Sequence, residues 1–472
     1  MAYIISIDQS TSGTKAGLLN ESGRIVRKAS LPHKQSYPAP GWAEHDAEEI
    51  FQNTLTVIHR VMEEIRPEEV AAIGIANQRE TTVIWDRATG RPLCPAVVWQ
   101  DVRGAALCGE LADAAALVQE TTGLALSPYY PAAKAAHVLR SHSFSCDFCI
   151  GTIDSYLIYR LTDGKVFATD VSNASRTQLA DIRTLTWNEE LCRIFGIPRG
   201  ALADQILSSD GDFGSYRGIP IRSAMGDSHS SLFGHGCHTA GMVKTSYGTG
   251  SSIMMNTGET PIVSHNGLST SVGFGWQGKV SYVLEGNITC SADTLVWLRE
   301  ELELIRDVGE VEPLAASVPD TQGVYLVPAF SGLGAPYFDE GARAVLYGMN
   351  RGTRRAHVVR AALESIAHQN ADVLDAMQRD MGGAVQSLNA DGGGSVNGLL
   401  MQLQADLIPG RVVCTDEPDL TMYGVGQMAG LAVGLYGGFS PSRVRAVYEP
   451  HMTSEQRRAL RDGWADAVRR SR

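Results

Sequence analysis

Short apolar runs bounded by polar turns alternate along the chain with longer stretches in which apolar positions recur every three to four residues. That is the pattern of strands interleaved with helices. Residues 2–7 (AYIISI) and 14–20 (TKAGLLN) read as strands around a polar turn, with 22–30 (SGRIVRKAS) as a third. At Asp46 the string DAEE puts Glu49 three residues after a capping aspartate, which predicts a capping box and a helix to about Glu64. Strands at 71–77 and 81–86 follow, then a helix over about 104–119 and a mixed region through Leu161.

Near residue 240 the pattern begins again. GMVKTSYGTGSSIMMNTG is strand, Gly/Thr-rich turn and strand, like IISIDQSTSGTKAGLLN at the start. Beyond it come predicted helices over about 291–304, 356–381, 424–436 and 454–470, another after Asn397, and strands at 324–330 and 385–391. Two halves opening in the same way predict an internally duplicated α/β architecture. No low-complexity linker separates them, so the boundary is placed near Gly236. An extensive contact is expected between a domain over 1–236 and another over 237–472.

Composition changes this picture little. At 472 residues the chain exceeds one ordinary core, and its 44% hydrophobic and 19% charged residues are those of a globular protein. A net charge of −12 argues against broad nucleic-acid binding, which needs clustered Lys and Arg. No apolar run approaches the ~18 residues that cross a bilayer, and the first residues read as a strand, not a signal peptide. The eight cysteines are scattered, with one C-x-x-C at Cys146 and Cys149 and no second pair at zinc spacing. A cytoplasmic protein without nucleic-acid or membrane partners is expected, and homo-oligomerisation stays open.

Three turns carry candidate chemistry. Asp8 to Lys15 (DQSTSGTK), Tyr247 to Ser252 (YGTGSS) and Asp391 to Asn397 (DGGGSVN) combine glycine with small hydroxyl residues. Such turns let backbone N–H groups approach phosphates, and an acid beside them suits magnesium held through water. Each one alone is also an ordinary polar turn, and none is a complete P-loop or dinucleotide fingerprint. A fourth segment, AMGDSHSSLFG, sets Asp227 between glycine and small polar residues, as a general base facing a cleft or as a helix cap. His229, His235 and His238 cluster with Cys237, but at no metal-ligand spacing.

Taken together these segments resemble the FGGY family of carbohydrate kinases, and within it the glycerol kinases. The resemblance rests on Asp8-Gln9 with Thr11-Ser12, on IANQRETT from Ile75, and on PAPGWAEHD from Pro38. It extends through VSNASRT from Val171, Gly248-Thr249-Gly250 and the string from Gly323 to Tyr337, over about residues 3–470. It implies two actin/hexokinase-like (ribonuclease H-like) α/β domains with an ATP cleft between them. It further implies Asp227 as catalytic base, with Arg79, Glu80, Trp99, Tyr129, Asp227 and Ser228 around a small polyol. Thr11, Ser12, Gly13, Thr249, Gly393 and Asn397 would contact ATP, and Asp8 would sit near Mg. The implied reaction transfers phosphate from ATP to a hydroxyl of glycerol or a closely related polyol.

Several positions depart from the glycerol kinase pattern. Ser228 and His229 follow Asp227 where glutamine is usual, and Ser252 replaces an aromatic residue. Ala292 and Val296 stand where Gly and Gln are usual, His137 where tryptophan is usual, and an effector loop is shortened to Tyr216-Arg-Gly-Ile. A kinase of a longer sugar, pentulose or sugar acid therefore remains an alternative, as does a catalytically silent sensor on the same fold.

Overall fold

The structure, a computed structural model, describes residues 2–472. In the first half β1 (Tyr3–Gln9) pairs antiparallel with β2 (Gly13–Leu19), and β2 with β3 (Ile25–Pro32). On its other side β1 lies parallel to β4 (Val70–Asn77), which lies parallel to β5 (Ile219–Gly226). The order is β5-β4-β1-β2-β3, with the short strand Ser215–Tyr216 beyond β5. The central strands are buried on both faces, which is why they read as near-continuous apolar runs. Ile5, Ile7, Ile73 and Ile75 point to the face covered by α1 (Ala47–Val61), while Ile4 and Ala72 point to the other.

Asp46 caps α1 as the sequence predicts, accepting from the N–H groups of Glu48 and Glu49 at 2.8 and 3.3 Å. The reciprocal half of the box is not made: the Glu49 carboxylate instead accepts from the Lys34 N–H. Directly after β5 comes α2 (Asp227–Gly234), a short helix. A separate small sheet, which includes Thr82–Asp86 and Phe148–Thr152, builds the outer part of this half.

The second half repeats the plan. Strands β6 (Val243–Tyr247), β7 (Ser251–Gly258), β8 (Ser269–Trp276) and β9 (Lys279–Ile288) pair antiparallel in the order β6-β7-β9-β8. Parallel to β6 runs β10 (Ser387–Asp391), followed by β11 (Arg411–Thr415) and antiparallel β12 (Val444–Tyr448). The long α3 (Arg355–Met381) and α4 (Gly398–Leu407) pack on this sheet and form the largest core. The contact between halves is extensive. Tyr282 donates to Ile182 O at 2.7 Å, the Val272 N–H donates to Ser175 Oγ at 3.0 Å, and two hydrophobic clusters mix residues from both halves.

One helix crosses over. α5 (Leu420–Ala432), followed in sequence only by β12 and the terminal α6 (Ser454–Ser471), covers the open face of the first sheet and lies against α2. Small residues make that approach possible. A Cβ on Gly74 would meet Val425 O at 2.6 Å, and one on Gly424 would meet Ser230 O at 1.9 Å. In an open helix interior, Gly→Ala gains about 1 kcal/mol. At Gly424 the methyl has no room, and overpacking costs about 1–3 kcal/mol or more. Gly424→Ala is therefore expected to lower the melting temperature, and Gly109→Ala, where a Cβ meets nothing within 4 Å, to leave it level or raise it. Calorimetry on both variants decides the matter, and a Gly424→Ala protein as stable as the parent would contradict the tight α2–α5 contact.

Candidate active site

β1, β4 and β5 end level with one another, Gln9 beside Asn77 and Asn77 beside Gly226. Side chains from the strand ends and the residues just after them therefore emerge on one edge, where open α/β sheets bind ligands. That edge brings together Asp8, Arg79, Glu80 and Asp227. Glu80 is held at φ +61°, a left-handed conformation that an unbranched L residue adopts only under constraint.

The constraint is a buried lattice of charge. Arg79 donates both terminal nitrogens to Glu285 at 2.8 Å each, and its Nε lies 3.2 Å from Asp227. Arg176 reaches Glu80 at 2.6 Å and Glu285 at 2.8 Å. Burial would raise the Glu285 carboxyl, but Arg176 and Arg79 hold it well below the usual carboxylate range. The sequence reading gave Arg79 and Glu80 to polyol hydroxyls and missed Glu285 altogether. Arg176 stood within the quoted VSNASRT string, and Glu285 is the one acid in the apolar strand VSYVLEGNI. Asp227 opens α2 and is not its cap. Its carboxylate is one-third exposed and accepts from the Ser228 N–H at 2.6 Å.

Trp99 and Tyr129 meet edge to face, ring centroids 5.8 Å apart. The indole Nε1 donates to Thr11 Oγ1 at 2.9 Å, tying the aromatic pair to the first hydroxyl turn. Beneath them the buried Lys134 donates to the backbone oxygens of Glu80 and Tyr129, strapping both segments together. Burial pushes its ammonium down to about 7. Ser228 and Ser252, from opposite halves, face each other with hydroxyls 3.5 Å apart.

The Asp8 carboxylate accepts no hydrogen bond from the described residues. Burial raises its carboxyl to about 7, Lys15 opposes, and Asp227 and Asp419 add to the rise. A desolvated acid beside a second acid suits a hard cation. No group of three His, Cys, Asp or Glu makes an all-protein metal cage among the described residues. The clustered histidines diverge: His229 faces Ser271, His235 faces Asp391, and His238 faces Phe233 O.

In the second half the turn after β6 and the turn after β10 lie side by side, because Ser246 pairs with Asp391. Gly392, at φ +83°, packs against Tyr247 O, where a Cβ would stand at 2.4 Å. Between the turns opens a cavity of about 480 Å³, within the ~300–1,000 Å³ usual for small-molecule clefts. Thr249, Gly393, Asn397 and Ala292 line it, with Leu295, Val308 and Ile366 supplying apolar wall. Val296 does not line it, and neither do Thr11, Ser12 and Gly13, which sit on the first half's turn. Gly13 also has a packing reason, since a Cβ there would meet Leu31 O at 2.7 Å. Asn397 caps α4, its Oδ1 accepting from the Leu400 N–H at 2.9 Å.

Family models for the FGGY carbohydrate kinases match residues 3–234 with the N-terminal domain and 243–433 with the C-terminal domain. The chain is 44% identical to glycerol kinase 1 of Thermotoga maritima over 99% of each protein. It is 43% identical to the glycerol kinase of Halorhodospira halophila over 99% of this chain and 96% of that one. Among solved structures, Plasmodium falciparum glycerol kinase with ADP superposes with a TM-score of 0.94 at 35% identity, covering 100% of this chain and 98% of that one. A xylulose kinase from Lactobacillus acidophilus, 21% identical, shares the fold with a TM-score of 0.90, covering 100% of this chain and 97% of that one. With both domain models matched in order and full-length relatives above 40% identity, the chain belongs to the FGGY family of carbohydrate kinases.

Proposed function

We propose that this chain transfers the γ-phosphate of ATP to a hydroxyl of glycerol, giving glycerol phosphate and ADP. The observation that carries the reading is the convergence of Asp227, Arg79, Glu80, Trp99 and Tyr129 on one strand-end edge. The full-length likeness to glycerol kinases supports it. The halves divide near Gly236, residues 1–236 holding the polyol and the base and 237–472 most of the nucleotide.

ATP lies across the cleft, its base and sugar in the cavity lined by Thr249, Gly393 and Asn397, its phosphates toward Thr11, Ser12 and Gly13. Open space beside Gly393 lets its backbone approach a phosphate. Asp8 would hold magnesium through water, and that ion would supply positive charge to the phosphoryl oxygens. Phosphoryl transfer asks the protein mainly for positioning and charge. Arg79 and Glu80, immobilised by Glu285 and Arg176, present their remaining donors and acceptor to neighbouring hydroxyls. Tyr129 offers a phenol with no protein partner among the described residues. Asp227 takes the hydroxyl proton as the bond to phosphorus forms.

A specific observation favours a broader acceptor range. Among the described residues the Ser228 and Ser252 hydroxyls bond only each other, at the limit of a hydrogen bond. Two such hydroxyls can receive an additional carbon and its oxygen.

Three measurements test these assignments. Asp227→Asn retains an acceptor for the Ser228 N–H but loses basicity, so turnover is expected to fall at least ~10²-fold with ADP affinity unchanged. Near-parent turnover in a coupled ADP-release assay would remove Asp227 from that role. Asp8→Ala is expected to depress turnover and shift the magnesium titration to higher concentration, and an unmoved titration would leave Asp8 a turn residue. On the parent enzyme, glycerol is expected to be phosphorylated with erythritol or threitol competing well. A kcat/KM preference for glycerol above ~10³-fold would sink the broader pocket, and transfer to neither would favour a longer sugar.

A further inference from the structure

The histidine cluster of α2 is left over by the catalytic reading. His235, at the C-terminal end of α2, sets Nε2 2.7 Å from Asp391 Oδ2. Ser231 donates its hydroxyl to the same oxygen at 3.1 Å. Asp227, Ser231 and His235 are spaced four apart, so they share one helix face. Asp227 heads that face and the other two stand one and two turns below it.

Asp391 belongs to the other half of the molecule. It is the last residue of β10 and leads directly into Gly392-Gly393-Gly394, where Gly393 and Gly394 line the nucleotide cavity. Burial would raise its carboxyl, but the His235 contact and the buried Lys244 hold it down as an anion. The contact is nearly closed to water, the His235 and Asp391 side chains being 3% and 13% exposed. Just past α2, Cys237 Sγ accepts from Asn389 of β10 at 3.3 Å, fastening the same end of the helix to the same strand.

We infer that Ser231 and His235 are positioning residues that pin the Asp227 helix to the head of the 391–394 turn and so register the base against the phosphates. Two bonds to one carboxylate oxygen fix both the height and the rotation of α2. A shift at Asp227 of about 1 Å is enough to cost ~10²-fold in an in-line transfer. The loss should therefore fall on turnover, not on binding of either substrate.

The inference rests on the kinase reading, and the experiment separates the two. His235→Phe keeps a ring of similar size and removes the donor. His235→Gln restores a donor that reaches the same carboxylate. For His235→Phe we expect kcat to fall ~10–100-fold with the KM for ATP and for glycerol within ~3-fold of the parent. His235→Gln should recover most of the loss, and Ser231→Ala should lose less than His235→Phe. An active parent with an equally active His235→Phe overturns the positioning role alone. So does a His235→Phe loss that raises both KM values and that His235→Gln fails to rescue. A parent that transfers phosphate to no polyol or sugar sinks the kinase reading and this inference with it.

Discussion

The buried alternation of Glu80, Arg176, Glu285 and Arg79 governs the rest of the molecule. Three of these charges come from the first half, where Arg176 also pairs with Glu80, but Glu285 comes from the second-half sheet and finds both its arginines across the contact. An unpaired buried charge costs several kcal/mol, and removing one partner of such a set typically costs about 3–5 kcal/mol. The halves therefore dock in the one register that lets Glu285 receive both arginines. Replacing such a set with apolar groups is often neutral for stability. Its benefit here is geometric: it fixes the Arg79 guanidinium, and the guanidinium in turn steadies the Asp227 carboxylate.

Around that lattice the fold is held by close backbone approach. Gly424 against Ser230 and Gly74 against Val425 bring α5 onto the first sheet, although it follows nearly the whole second half in sequence. Lys15 and Lys28 reach Asp419 at the start of α5, at 3.4 and 2.7 Å, and tie the hairpin that carries the first hydroxyl turn to the same helix. These exposed lysines add little stability individually. The consequence is topological, because the helix that closes the first half lies in sequence beyond most of the second sheet.

The site combines fixed and open parts. Arg79, Glu80 and Arg176 are buried and ion-paired, and Lys134 straps the backbone beneath them. Thr249 and the Gly393 backbone face open space, and among the described residues the Ser228 and Ser252 hydroxyls bond only each other. Buried groups are held by partners within the protein, while the groups that face open space keep unused bonding capacity.

Local chemistry was legible in the sequence. Apolar periodicity located both hairpins, the long helix ending at Met381 and the cap at Asp46, because each is decided within a few residues. The three Gly and hydroxyl turns were legible for the same reason, since turn composition is a local requirement. The tertiary structure decided everything that depends on partners far apart in the chain. Arg79 and Glu285 lie 206 positions apart, Ser231 and Asp391 160 apart, and neither string hints at the other. Gly13 looked like a phosphate glycine, but strand β3 also demands it, and Glu49 left its capping box for the Lys34 N–H. A sequence states what each segment prefers, while the pairing of buried charges and the fit of glycine surfaces are settled only when distant segments meet.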